Sequence, residues 1–292
     1  ATVTTQTSPL CDFQFLRSGV KDRSMKRHRT HAAATFLALA LSSPAVAQDP
    51  ADMARLDILP GWRTDTGTHM AAIRVTLAPG WKTYWRTPGD AGIPAQFDWA
   101  ASDNLGAVLL HWPVPEVFHQ NGMTSIGYHD QVVIPVELTP RRAGKPIALS
   151  ARIDMGVCED ICVPVSAQVG ADLPAGPVRP DARIRVALAD RPMTAREAGV
   201  SHVTCTVSPA AQGLSVTATL DMPTLGGAEF VVMELPGAPV WVSEAETSRS
   251  GGTLIATSDI VPGRGTALTL DRSRLRFTVL GTRGAVDIQG CD

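Results

Sequence analysis

The chain has 292 residues, 44% hydrophobic and 18% charged, which excludes a disordered or collagen-like polymer and leaves room for two domains of about 100–200 residues each. Its formal charge is −2, but six of the 26 basic and two of the 28 acidic residues fall in 1–47. Residues 48–292 thus hold 20 basic and 26 acidic groups, net −6, and an acidic body without a basic stripe argues against nucleic acid as a partner.

The first element in chain order is a leader. Met25 precedes Lys26-Arg27-His28-Arg29, then an apolar run from Ala32 to Leu41, then Pro44 and Ala45-Val46-Ala47. A charged, an apolar and a small-x-small segment in that order read as a secretory signal peptide cut after Ala47. Residues 1–24 then read as upstream extension, with the mature chain starting at about 48. The competing reading is a short membrane anchor, but ten apolar residues span only about half of a bilayer core. No later stretch reaches the roughly 18 apolar residues of a membrane span. The expectation is an exported protein, soluble after cleavage, with no membrane span of its own.

Strand signals follow at short spacing. Arg74–Leu77, Val132–Leu138 and Ile147–Ile153 read as strands, and Pro60-Gly61, Pro79-Gly80 and Pro88-Gly89 as turns. Pro174, Gly176, Pro177 and Pro180 mark a linker, in which Asp181 is placed to cap a short helix running to about Ala189, with Ile184 and Leu188 on one face. Strands resume at Val203–Val207, Leu214–Leu220, Phe230–Leu235, Val240–Val242, Leu275–Leu280 and Ala285–Ile288. The chain is therefore expected to be all-β. Two sandwiches, at 52–173 and 201–292, would be joined by a Pro-rich linker with a short helix at 174–200.

Of five cysteines, Cys11 goes with the leader and four remain, Cys158, Cys162, Cys205 and Cys291. Paired cysteines are the default for an exported chain. Four steps of extended strand cover about 13 Å, and a disulfide needs Cα atoms about 4.4–6.8 Å apart, so the chain must curl between Cys158 and Cys162 if they pair. Three readings stay open for this pair. A structural bridge closing so short a loop contributes little; a short exposed bridge suits redox exchange; two thiolates suit a soft metal such as Cu(I), with Met155 nearby in sequence. The adjacent carboxylates Glu159 and Asp160 disfavour thiolate and are expected to raise both thiol pKa values, as in a pair that gives electrons away.

Cys205 lies in an expected strand and Cys291 is penultimate, so joining them would tie the last strand of the second domain to its first. The readings are a structural disulfide, two free thiols or a relay with the first pair. Trp81, Trp85, Trp99 and Trp112 read as core packing, with an aromatic docking rim as the alternative. His111, His119 and His129 have no standard metal spacing. No metal or other cofactor is expected. A Gly-x-Ser-x-Gly motif and a nucleotide-binding loop are both absent from the sequence.

Three blocks, taken in order, resemble the N-terminal periplasmic domain of DsbD-type thiol:disulfide interchange proteins. They are Gly80-Trp81-Lys82-Thr83-Tyr84-Trp85-Arg86-Thr87-Pro88-Gly89-Asp90-Ala91-Gly92-Ile93-Pro94, Gly122–Pro135 with Tyr128-His129-Asp130, and Cys158–Cys162 followed by Val163-Pro164. The resemblance covers residues 52–173 and implies an immunoglobulin-like sandwich acting as a thiol-disulfide oxidoreductase, an electron-transfer component. Cys158 and Cys162 would be the catalytic pair. A membrane-embedded thiol reductase of the DsbD/CcdA type would reduce it, and periplasmic thioredoxin-like clients would be reduced by it. Glu116–Gly122 would be a cap, with Phe118 shielding the pair, His119 beside it and Tyr128 near the cysteines. The best-known members have five residues between the cysteines and this chain has three. No Cys-x-x-Cys occurs in it, so electrons would come from a separate membrane protein. The second sandwich resembles an extra domain of secreted or copper-tolerance-associated relatives. The alternative function is a Cu(I)-binding or non-catalytic adaptor module of the cell envelope.

Overall fold

The computed structural model describes residues 50–90, 92–120, 122–176, 178–266 and 268–292. The leader, Cys11, Ala91, Asn121 and Pro177 lie outside the described residues. After a single helical turn (α1, Pro50–Met53), ten strands make the first sandwich: β1 Ala54–Arg63, β2 His69–Leu77, β3 Lys82–Gly89, β4 Gln96–Asp98, β5 Leu105–Leu110, β6 Glu116–Gln120, β7 Met123–His129, β8 Gln131–Pro140, β9 Ile147–Cys158 and β10 Cys162–Leu173. One sheet runs β1-β2-β8-β5; the other runs β10-β9-β3-β7-β6, with β4 paired to β9.

Alternating apolar residues build the core between these sheets. Ile73, Val136, Leu138, Ile147, Ile153, Val157 and Trp85 are all fully or almost fully buried. Trp81 is buried as well, while Trp99 and Trp112 pack at the core's edge, where Phe97 stacks on Trp99 and meets Trp112 edge-on. The tryptophans thus serve packing, which favours the first of their two readings.

Two of the three Pro-Gly steps are not turns between strands. Pro79-Gly80 is a turn, but Pro60-Gly61 lies inside β1 and Pro88-Gly89 inside β3, each at a register shift. Gly61 has φ +67°, and a Cβ there would lie 1.7 Å from the Met70 carbonyl oxygen. A β-bulge brings one strand that close to its neighbour, and only glycine fits.

The linker is docked. Asp181 accepts the Arg183 N–H at 2.8 Å and caps helix α2, Ala182–Ala189, as its Asp-first pattern predicts. Ile184 is fully buried and, with Leu188, packs on Leu59, Met70, Ala72, Trp62 and Val133, outside the first sheet.

The linker's end adds β11, Met193–Thr194, parallel to the last strand of the second domain. That domain contains β12 His202–Ala210, β13 Gly213–Asp221, β14 Phe230–Glu234, β15 Val240–Val242, β16 Glu246–Ser250, β17 Thr253–Pro262, β18 Arg276–Gly281 and β19 Gly284–Gln289. Its sheets run β11-β19-β18-β14 and β12-β13-β17-β15, with β16 also on β17. Leu220, Leu254, Ile260, Leu275 and Phe277 form its core.

Cys205 and Cys291 are joined, with Cα atoms 5.7 Å apart and a sequence separation of 86. The tail beyond β19 also pairs with β12 through Cys205 N–H to Asp292 O and Asp292 N–H to Val203 O, both 3.0 Å.

The two sandwiches share apolar packing. Val232, Leu280 and Ala285 of the second belong to the core cluster of the first. No helix among the described residues is long and apolar enough to cross a membrane.

Candidate functional site: a disulfide at the end of a hairpin

Strands β9 and β10 form a hairpin whose last paired rung is Cys158 opposite Cys162, with Glu159-Asp160-Ile161 as its loop. Their Cα atoms are 4.2 Å apart and the sulfurs are bonded. This is close to the roughly 4.5 Å of a non-hydrogen-bonded antiparallel pair. A three-residue hairpin loop therefore supplies the curl that the spacing demands.

The two sulfurs sit in unlike surroundings. Cys158 is 2% exposed, whereas Cys162 is open to solvent. Ile161 beside it is 71% exposed, and Glu159 and Asp160 are exposed too. Cys162 is the more accessible of the two residues.

A phenol lies against both sulfurs. The Tyr84 hydroxyl donates to Cys158 Sγ at 2.7 Å and is 3.2 Å from Cys162 Sγ. Tyr84 is on β3 and buried, and burial raises its pKa above the ordinary 10. It therefore stays a protonated donor at neutral pH. Tyr128, named from the resemblance as the residue near the cysteines, sits elsewhere. It is buried in the core, and its hydroxyl donates to the Pro113 carbonyl at 2.8 Å. In the β7–β3–β9 register Tyr128 aligns with Thr83 and Val157, one position away from Cys158. Strand alternation sends that row to the core face. Lys82 and Tyr84 share the Cys158 face, so parity along β3 was the signal that selected Tyr84.

The expected cap is an edge strand, β6, hydrogen-bonded on one side to β7. Phe118 is half-buried; the Lys82 ammonium sits 5.3 Å from its ring centroid and the His129 ring meets it edge-on at 6.4 Å. Lys82 also donates to Gln120 Oε1 at 2.7 Å, and His129 Nδ1 is 3.1 Å from Glu116 Oε1. Because Lys82 is the β3 partner of Cys158, these contacts place Phe118 on the disulfide's face of the sheet. His119 alternates to the other face, where Nδ1 is 3.3 Å from Thr124 Oγ1 across the hairpin.

The copper reading loses its third ligand. Met155 is buried in the core with Val157, on the face opposite Cys158. No cluster of three or more His, Cys, Asp or Glu residues with metal-binding geometry occurs among the described residues.

Residues 55–174 match the family model described as "Thiol:disulfide interchange protein DsbD, N-terminal". The first sandwich is a DsbD N-terminal-type domain. The match covers the sheet with Tyr84, strand β6 and both cysteines, so thiol:disulfide interchange is the chemistry of the family to which the site's domain belongs. The N-terminal periplasmic domain of ScsB from Proteus mirabilis has a similar structure, with a TM-score of 0.60 and 23% identity over 81% of this chain and 90% of that one. That coverage extends beyond the DsbD-type domain, so the likeness in fold takes in the second sandwich. The DsbD N-terminal domain of Neisseria meningitidis, in its reduced form, aligns over 46% of this chain and 95% of its own at 20% identity, with a TM-score of 0.26. No curated protein matches the chain.

Proposed function

We propose that the protein is a periplasmic carrier of electron pairs, which uses Cys158 and Cys162 to pass reducing equivalents from a membrane-embedded thiol reductase to exported clients with thioredoxin-like folds. The observation that carries this reading is the asymmetric disulfide: one cysteine exposed, its partner buried, with a hydroxyl against both sulfurs and nearer the buried one. The family supplies the interchange chemistry; donor, client and compartment are our inference.

In the loading step a donor thiolate attacks Cys162 Sγ. The Cys158–Cys162 bond breaks, Cys158 Sγ leaves with the electron pair, and a donor–Cys162 mixed disulfide forms. The Tyr84 hydroxyl is already aimed at the leaving sulfur, where it stabilises the developing thiolate by a charge-assisted hydrogen bond. The donor's second thiolate then attacks its own sulfur in the mixed disulfide. The donor departs oxidised, and the pair has gained two electrons and, on protonation, two protons.

Delivery is the reverse. The Cys162 thiolate attacks a client disulfide, and Cys158 resolves the mixed disulfide by attacking Cys162 Sγ, which releases the client as a dithiol. Glu159 and Asp160 place two negative charges in the loop between the cysteines, which disfavours thiolate and suits electron donation. Strand β6 holds Phe118 over this face between encounters. It is paired on one edge only, so it opens at low local cost when a partner docks.

The test is a pair of trapping variants. Cys158→Ala leaves Cys162 without its resolving sulfur and should accumulate partner-linked adducts, identifiable by mass spectrometry. Cys162→Ala should accumulate few. Equal trapping, or none with either variant, overturns the proposed route.

A further inference from the structure

We infer that Glu234, in the second sandwich, is a positioning residue for the Cys158–Cys162 disulfide, acting through Arg86, Thr87 and the ring of Tyr84. This rests on the exchange reading above and gives the second sandwich a part in the redox site.

The chain of contacts begins at Tyr84. Its pairing with β7 is regular up to Tyr84 opposite Gly127, and the next pair is Gly89 opposite Ser125. Five steps on β3 therefore face two on β7, and residues 85–88 leave the ladder. A bulge of this size has lost the backbone pairing that fixes a strand, so other groups must set its course. Trp85, fully buried, anchors it on the core side.

On the other side the anchor is Glu234, at the end of β14. Its carboxylate takes Arg86 in a bidentate pair, Nε to Oε1 at 3.1 Å and Nη2 to Oε2 at 2.9 Å, and also accepts from the Thr87 hydroxyl. Arg86 Nη2 donates to Thr278 Oγ1 at 3.0 Å and lies 3.8 Å from Asp287 Oδ2, which is itself paired with Arg276. The side chains of Arg86 and Glu234 are only 14% and 11% exposed. A pair this sheltered is weakly screened, and loss of one partner strands the other.

The bulge returns to the site. A Cβ built on Gly92 would lie 2.3 Å from Pro88 Cβ and 2.8 Å from Tyr84 Cδ1, so Gly92 packs against both Pro88 and the Tyr84 ring. Thr87 is held by Glu234, Pro88 follows it, and Gly92 meets both Pro88 and the Tyr84 ring. The phenol that contacts both sulfurs is thus aimed by a carboxylate from the other domain.

The experiment measures the rate at which dithiothreitol reduces Cys158–Cys162 in the full chain across pH, in wild type, Glu234→Gln, Tyr84→Phe and the double variant. Tyr84→Phe should slow reduction about tenfold, the size of one hydrogen bond to a charged sulfur. Glu234→Gln should slow it about three- to tenfold, shift the pH profile the same way, and add almost nothing to Tyr84→Phe, because both act through one hydroxyl. Glu234→Asp, which keeps the charge, should recover part of the rate. Thr87→Ala gives a milder version of the same effect if Glu234→Gln does not fold. The inference is overturned if Tyr84→Phe slows reduction while Glu234→Gln and Thr87→Ala keep the wild-type rate and profile, or if the two effects are additive. A pair that resists dithiothreitol in every protein overturns the exchange reading as well.

Discussion

Cys158 and Cys162 close one rung of one hairpin, yet the first is 2% exposed and the second faces solvent. The reduced protein should inherit this asymmetry. Alkylation with iodoacetamide, followed by peptide mapping, should modify Cys162 at least about tenfold faster than Cys158, because reactivity follows access as well as thiolate fraction. Equal rates would place both sulfurs in one environment.

Tyr84 should set the ease with which Cys158 leaves. In Tyr84→Phe the fold should persist, since the ring stays packed, while the Cys158 thiol pKa rises. A hydrogen bond to a charged group contributes about 1.5–3 kcal/mol, so the rise should be about one to two pKa units. Thiolate absorbance near the ultraviolet edge, followed against pH, reads it directly. Tyr128→Phe should leave the titration unmoved, because that hydroxyl serves the Pro113 carbonyl.

The loop carboxylates should act in the opposite sense. Glu159→Gln/Asp160→Asn removes two negative charges from the three-residue loop, and both thiol pKa values should fall. The alkylation-rate profile against pH would then move to lower pH. An unmoved profile shows that solvent screens these exposed charges.

His69 predicts an acid limit to stability. It is fully buried, and its ring nitrogen Nε2 is 2.6 Å from the Pro60 carbonyl oxygen. Burial lowers its pKa below the ordinary 6.5, against the raising effect of that hydrogen bond. The unfolded chain takes up a proton as pH falls through about 6.5, and the folded chain does so only at lower pH. This contribution is therefore complete above that point and is lost between it and the folded-state value, at up to about 1.4 kcal/mol per pH unit. Urea unfolding at neutral pH and about one unit below 6.5 should show the loss, and His69→Gln should flatten it.

The second disulfide should be a staple. Opening an 86-residue span costs about 4–5 kcal/mol of stability in the chain-entropy account. Cys205→Ala/Cys291→Ala should lower the unfolding midpoint and leave the reduction rate of the first pair unchanged.

Sequence periodicity reports nine of the nineteen strands among the described residues, and only three of the ten in the first sandwich. Val240–Val242 and the Asp181-capped helix are as expected, and Ile147–Ile153 lies within β9. Strand β17 went unread although Leu254, Ala256 and Ile260 alternate, because Ser258 occupies a buried position in the same row. Strand β10 gives a weak signal, since small or polar residues separate Val165, Val169 and Leu173. At the site, the cysteine pair is legible from its spacing, whereas Phe118 enters only through the resemblance. Tyr84 is not: it lies in the Gly80–Pro94 block, but choosing it over Tyr128 requires the β3–β9 register, which joins residues 74 apart in sequence. The Glu234 contact crosses 148 residues, and no periodicity reports such a distance.

The most direct measurement equilibrates the protein in graded glutathione buffers and counts free thiols at each cysteine by acid quenching, alkylation and mass spectrometry. The account predicts that Cys158 and Cys162 open and close together and reversibly, with a tenfold change in the ratio over about 30 mV as for a two-electron couple, while Cys205–Cys291 stays closed. Contradiction would be a Cys158–Cys162 bond that opens only when the protein unfolds.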